Sequence, residues 1–337
     1  VLILIVILSV ACKDSLITTE EAPAGRRDYV WEVDSIGNNY KNVFHTIWGT
    51  DDNNLWLGGG TATLGNYSEN VLHFDGKSWN NNHNVRMDPC YEIKGDVDKV
   101  FFCAENKVIC LENGELTEMP LDLTPIVLSD SIRVAILGMI KLNEEYFASG
   151  YAIINENSIS AVLWKLNGNK WDALNIFNDN LSDWFYSSVG VIKGKLFFSL
   201  FTSKELLFPR IAFYDGKNLH ILTEQNSEIK LVETPGDCLF TQGDKILNFN
   251  DRDFVQVADL KIGHPPGTRI FGRNKNDLFF FDEGQLYHFN GMDSIVLFDF
   301  QQKVIISDCL IIEQSVYFLI YTAGELKHYI IKGKIKN

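Results

Sequence analysis

The sequence is poor in positive charge, proline, methionine and paired metal ligands, and the first and last of these close off a class of protein. Lys and Arg number 30 against 44 Asp and Glu, a formal net charge of −14. Such a field repels polyanions, and no dense Lys/Arg stripe overrides it locally, so nucleic acid is not expected as a partner. The seven histidines (His45, His73, His83, His220, His264, His288 and His328) are never paired at ligand spacing, and no metal is expected. A Gly-x-Ser-x-Gly nucleophile elbow is absent. With no other catalytic constellation in the chain, neither catalytic residues nor a cofactor is expected.

What is present is apolar and aromatic. Hydrophobic residues make up 46% of the chain and charged ones 22%, enough to bury a large core and too apolar for disorder. The 23 Phe, 12 Tyr and 7 Trp favour pleated sheet, because flat side chains suit a half-buried strand surface. Only 8 Pro and 4 Met accompany them.

Two signals recur together along the chain. The first is a polar residue followed by an aromatic-rich strand, in Asn54-Leu55-Trp56-Leu57, Lys99-Val100-Phe101-Phe102, Glu145-Tyr146-Phe147-Ala148, Lys195-Leu196-Phe197-Phe198, Asp237-Cys238-Leu239-Phe240, Asp277-Leu278-Phe279-Phe280 and Ser315-Val316-Tyr317-Phe318. The second is a hydrophobic run ending in a two-residue turn: Asp75-Gly76, Asn113-Gly114, Asn167-Gly168, Asp215-Gly216, Asn250-Asp251, Asn290-Gly291 and Lys332-Gly333. Asn-Gly and Asp-Gly supply the positive φ that hairpin turns require. The spacing of about 43 residues is that of four-stranded propeller blades. Gly49, Gly95, Gly138, Gly190 and Gly272 precede the aromatic strands by five to eight residues. They mark either close backbone approach at a narrow axis or ordinary strand-end turns.

Trp79 and Trp171, in DGKSW and NGNKW, run on from the turn into an outer fourth strand, whereas the last unit has only Lys334 to Asn337 after its turn. The alternating segment Asp28 to Ile36 lies ahead of the first unit without a partner of its own. It is expected to complete the last blade and so remove the open edge. The expectation is an all-β chain, a single seven-bladed β-propeller over residues 28–337 whose N-terminal strand closes the last blade, with six or eight blades as the alternative.

Residues 1–11 (VLILIVILSVA) read as the apolar core of a signal peptide, since they would span only about 17 Å as a helix against roughly 30 Å of hydrocarbon. Leu8-Ser9-Val10-Ala11-Cys12 resembles the lipobox of bacterial lipoproteins, although Ser9 stands where that box usually has an aliphatic residue. The resemblance implies lipidation at Cys12 and a membrane anchor. Residues 12–27, rich in Thr, Glu, Ala, Pro and Gly, are expected to be a flexible tether.

The repeat unit resembles kelch-like and related propeller repeats of bacterial envelope lipoproteins, without the paired glycines of kelch blades or the Trp-Asp of WD repeats. The Ser-x-Asp-x-Gly-x-Thr-Trp boxes of propeller sialidases are absent. Their nearest counterpart, Thr50 to Asn54, lacks the glycine and tryptophan and reads as a turn. His73 and His288 share one repeat position (LHFDG, YHFNG), which implies a structural role in the third strand. Cys103, Cys110, Cys238 and Cys309 lie in apolar strands and are expected to be buried thiols; Cys90 is the candidate for any disulfide. The connections Gly58–Asn70, Ser149–Ile159 and Phe201–Pro209 vary most and are expected between second and third strands, on one face of the disc. Asp34-Ser35-Ile36, Asp130-Ser131-Ile132 and Asp293-Ser294-Ile295 resemble an O-glycosylation motif of Gram-negative envelope proteins.

The expected function is a lipoprotein of a Gram-negative cell envelope, anchored to the outer membrane at its periplasmic face or the cell surface. Its propeller would be a binding or scaffolding module for a protein or glycan. The alternative is a glycan-active hydrolase or lyase with dispersed carboxylates converging in the axial pocket.

Overall fold

The computed structural model describes residues 24–36, 42–61, 70–81, 85, 89–123, 133–155, 158–174, 184–202, 210–223, 229–232, 234, 238–262, 269–282, 284–300, 304–322 and 327–336. Among these, the chain forms seven four-stranded antiparallel sheets and no helix. Six sheets use consecutive strands. The seventh joins Tyr29–Ile36 to the last three strands of the chain. This is a seven-bladed β-propeller closed by its N-terminal strand.

Each aromatic-rich stretch is the second strand of a blade: Asn54–Thr61, Lys99–Ala104, Glu145–Asn155, Lys195–Thr202, Leu239–Gln242, Asp277–Asp282 and Ser315–Thr322. Such a strand is covered on both faces by neighbouring blades, so it reads as a continuous apolar run rather than an alternation. Phe101 and Phe102, Phe197 and Phe198, and Phe279 and Phe280 are consecutive residues that are all fully buried. One member of each pair packs into the blade before and the other into the blade after, because successive side chains leave a strand on opposite faces. The buried apolar residues accordingly fall into seven clusters, one for each contact between blades.

Closure is antiparallel, running from Tyr29 opposite Ile335 to Ile36 opposite His328. Lys332-Gly333 is not the turn expected from sequence; both residues lie inside the strand His328–Ile335, opposite Glu32 and Trp31. A side chain at Gly333 would collide with the Trp31 indole, so this glycine makes room for a ring instead of bending the chain.

A Cβ would press on a neighbour at each of the five inner-strand glycines, on backbone at three of them and only on side chains at two. A Cβ at Gly49, Gly95 or Gly272 would run into the carbonyl oxygen of Asn54, Lys99 or Asp277, on the second strand of the same blade. These three belong to strand ends. Gly190 instead meets the Cys238 side chain on the next blade, and Gly138 meets the side chains of Ser149 on its own blade and Val189 on the next.

Candidate functional site

Strand order sorts the connections onto two faces. Every first strand is the innermost one, so turns from first to second and from third to fourth strands share one face. Connections from second to third strands, and from one blade to the next, share the other.

Four of the tight turns on the first face share one design. The side chain of the leading residue accepts hydrogen bonds from the backbone N–H groups two and three residues on: Asp75 from Lys77 and Ser78, Asp215 from Lys217 and Asn218, Asn250 from Arg252 and Asp253, and Asn290 from Met292 and Asp293. Other acids on this face stitch adjacent blades. Asp52, in the turn read from Thr50 to Asn54, accepts from the Tyr317 hydroxyl at 2.7 Å and pairs with Lys332 and Lys334 at 3.2 and 3.3 Å. Partial burial pushes its carboxyl up, but the hydrogen bonds from Tyr317, Ser315 and Lys332 outweigh this and hold it down to about 2. Asp96 takes the Tyr146 hydroxyl at 2.6 Å and Lys141 at 3.2 Å, and Asp251 takes Lys193 and Lys195. The negative charge here is structural.

The other face surrounds the axial mouth. Its connections range from the pair between Ala104 and Lys107 to the long stretch between Met119 and Arg133. Toward this mouth, the innermost strands of five blades carry a bulge, at Phe44/Thr46, Cys90/Glu92, Ile136/Gly138, Tyr186/Ser188 and Ile306/Asp308. A bulge inserts one residue and re-aims its side chain. The inserted residues are His45, Tyr91, Leu137, Ser187 and Ser307.

Two groups of polar side chains gather there. On blades 2 and 3, the Tyr91 hydroxyl donates to Glu105 Oε1 at 3.5 Å. Burial, and then the charge of Glu105, push the nearby Tyr151 phenol up. All three side chains are half-buried. Glu105 is set in place by its neighbour: Asn106 adopts φ 59° and its side chain accepts from the Val134 N–H at 2.8 Å, tying the connection of blade 2 to the inner strand of blade 3. On blades 6, 7 and 1, Arg269 donates to the Ser307 carbonyl, while burial and the Arg269 charge hold the His45 imidazole below its ordinary value.

The carboxylates on the inner strands are already engaged. Asp308 accepts from the Ile47 and Cys309 N–H groups at 2.9 and 2.8 Å, joining blade 7 to blade 1. Glu92 pairs with Lys94 at 3.5 Å. Among the described residues no cluster of three or more His, Cys, Asp or Glu is placed to hold a metal ion.

His73 and His288 stand in third strands, as their shared repeat position implied. Each bonds the polar residue that opens the adjacent second strand: His73 to Asn54 at 2.9 Å and His288 to Asp277 at 2.7 Å. Cys90, Cys103, Cys110 and Cys238 are buried free thiols. Cys309, expected to be buried, is only partly so. Of the three variable connections, 62–69 and 203–209 lie outside the described residues. Ser149–Ile159 is not a loop but a long hairpin, with Ile153 paired to Ile159. Of the three Asp-Ser-Ile triplets, Ser35 is exposed on the closing strand and the Ser294 hydroxyl is bonded to the Leu260 carbonyl at 2.6 Å; 130–132 lie outside the described residues, as does Cys12. The group Tyr91, Glu105 and Tyr151 carried no sequence signal, since blade adjacency alone brings it together.

No protein-family model matches the chain, and no curated protein matches it. Among solved structures it is similar to the extracellular domain of a one-component system from B. thetaiotaomicron, with 9% identity and a TM-score of 0.56. The match covers 90% of this chain and 40% of that one. It is also similar to a protein of unknown function from Dyadobacter fermentans, with 13% identity and a TM-score of 0.51 over 94% of this chain and 100% of that one. These likenesses establish the propeller fold and no activity.

Proposed function

We propose that the chain is a lipid-anchored binding protein of a Gram-negative cell envelope, whose propeller engages a protein or glycan at the axial mouth. The asymmetry of the two faces carries this reading. One face repeats a capped turn design in four blades and bonds acids between blades, while the other joins its strands by connections of very different length and gathers half-buried tyrosines around a carboxylate. Rigid scaffolds build recognition in such connections. Aromatic faces beside a hydrogen-bonding carboxylate suit a sugar ring or a polar peptide. The engagement of Asp308 and Glu92 favours binding over glycoside hydrolysis, which requires two carboxyl groups facing the scissile bond.

The position of the tether supports the same orientation. The Gly25 N–H donates to the Asn276 carbonyl at 2.8 Å, on the tight-turn face. A chain leading from there back to a lipid on Cys12 leaves the mouth turned away from the membrane. The test uses the full chain in detergent. Tyr91→Ala and Tyr151→Ala should each weaken capture from a glycan and peptide panel on the order of tenfold, the scale of one lost polar or stacking contact, and Lys217→Ala on the opposite face should not. Palmitate labelling should vanish in Cys12→Ala. Equal labelling would remove the anchor, and equal weakening by Lys217→Ala would remove the mouth.

A further inference from the structure

The closing strand Tyr29–Ile36 is held differently at its two ends. At the first, Arg273 donates to the Tyr29 hydroxyl at 3.2 Å and to Asp277 at 2.9 Å, and Asp277 bonds His288 at 2.7 Å. Tyr29, Asp277 and His288 are buried. Arg27 adds a bond to the His288 carbonyl and an ion pair with Asp293 at 2.8 Å, and the Lys336 N–H donates to the Asp28 carbonyl. Each charged side chain in this buried group has an opposite charge or an acceptor, as buried charge requires, although among the described residues Arg27 Nε, Arg273 Nε and His288 Nδ1 make no hydrogen bond.

At the other end Ile36 pairs with His328. That histidine is 4% exposed, yet among the described residues neither ring nitrogen has a hydrogen-bond partner. Its ring meets Phe44 of blade 1 edge-on at 5.6 Å and lies 5.5 Å from the Tyr321 ring. A neutral imidazole tolerates this seam. An imidazolium does not.

We propose that the ring is latched at one end only: mild acid protonates His328 and releases the Ile36 end of the closing strand, at the mouth, while the Tyr29 end stays fastened.

Among the described residues, the charged and titratable groups around His328 give an imidazolium no partner. His45, on the inner strand of blade 1, carries the same sign when protonated and itself lies under the influence of Arg269. The Tyr321 ring lies against the His328 ring at a tilt. Asp308 is bonded to two backbone N–H groups, and Asp34, near the end of the closing strand, accepts from the Trp79 indole at 3.2 Å. Lys327 precedes His328 and is a cation. Burial first, and then His45, hold the His328 imidazole down to about 4.

The folded value lies below the ordinary one, so the folded seam binds fewer protons than the open one between pH 6.5 and 4. Its full stability is present above pH 6.5 and drains away as the pH falls toward 4.

The test is hydrogen exchange of the full chain by NMR at pH 7.5 and 5, corrected for intrinsic rates. The opening constant at Asp34 and Ile36, whose N–H groups face His328–Ile335, should rise on the order of tenfold, while that at Val30 stays constant. In His328→Leu the pH response at Ile36 should disappear. If that variant does not fold, the His328 ring resonance of the wild type decides: a ring that titrates at the ordinary value overturns the latch. Both ends opening together, or a pH response surviving in His328→Leu, would overturn it as well.

Discussion

The two faces of the disc solve different problems with the same strands. On the tight-turn face, Asp75, Asp215, Asn250 and Asn290 cap four turns alike, and Asp52, Asp96 and Asp251 tie blades together. Around the mouth the bulge recurs, inserting His45, Tyr91, Leu137, Ser187 and Ser307 into the innermost strands of five blades. Regularity therefore marks where the chain satisfies its own backbone. Variation marks the surface left over for a ligand.

The closing strand crosses from one face to the other, so removing it breaks the comparison at both ends. Deleting Asp28 to Ile36 strips the partner from His328–Ile335 and exposes the apolar seams on either side of blade 7. The loss should approach the whole stability of a domain, about 5–15 kcal/mol. Near-UV circular dichroism and the urea transition should both lose cooperativity, and a variant that still melts in one sharp step would show that the ring does not need closing. A smaller effect is expected from Asp277→Asn at the tight-turn end. Arg273 would keep its charge while losing the carboxylate that neutralises it, which typically costs about 3–5 kcal/mol. Urea midpoints would measure this. A cost near zero would mean that the fastened end of the strand rests on apolar packing alone.

How much of this was legible in sequence follows from how local each signal is. The seven second strands announced themselves because burial on both faces demands an unbroken apolar run. Six of the seven turns did so because Asn-Gly, Asp-Gly and Asn-Asp report a local backbone need. Lys332-Gly333 misled because a glycine that makes room for a ring on another strand looks the same as one that turns a chain. The hairpin at Ser149–Ile159 was hidden because small and polar residues such as Ser149 and Gly150 pair in strands without an apolar alternation. The bulges left no trace either. One inserted residue changes neither composition nor period enough to be seen, and Tyr91 meets Glu105 only after the bulge has turned it.

The smallest test separates the two reasons a tight turn can be tight. At Asn290 the side-chain oxygen accepts from the Met292 and Asp293 N–H groups at 3.1 and 3.2 Å, while Gly291 supplies φ 93°. Asn290→Asp keeps the acceptor and should leave stability within about 0.5 kcal/mol of the wild type. Asn290→Ala removes it and leaves two donors to water, a loss of about 1 kcal/mol. Because Asp293 also pairs with Arg27, the loss should shrink in an Arg27→Ala background if the turn acts through that contact. Neither substitution should alter capture at the mouth, since the turn lies on the opposite face. If Asn290→Ala costs nothing, the glycine alone shapes the turn, and the repeated Asp and Asn caps record a backbone preference rather than a stabilising bond. If it weakens capture instead, the two faces are coupled through the blade, and the division of labour between them fails.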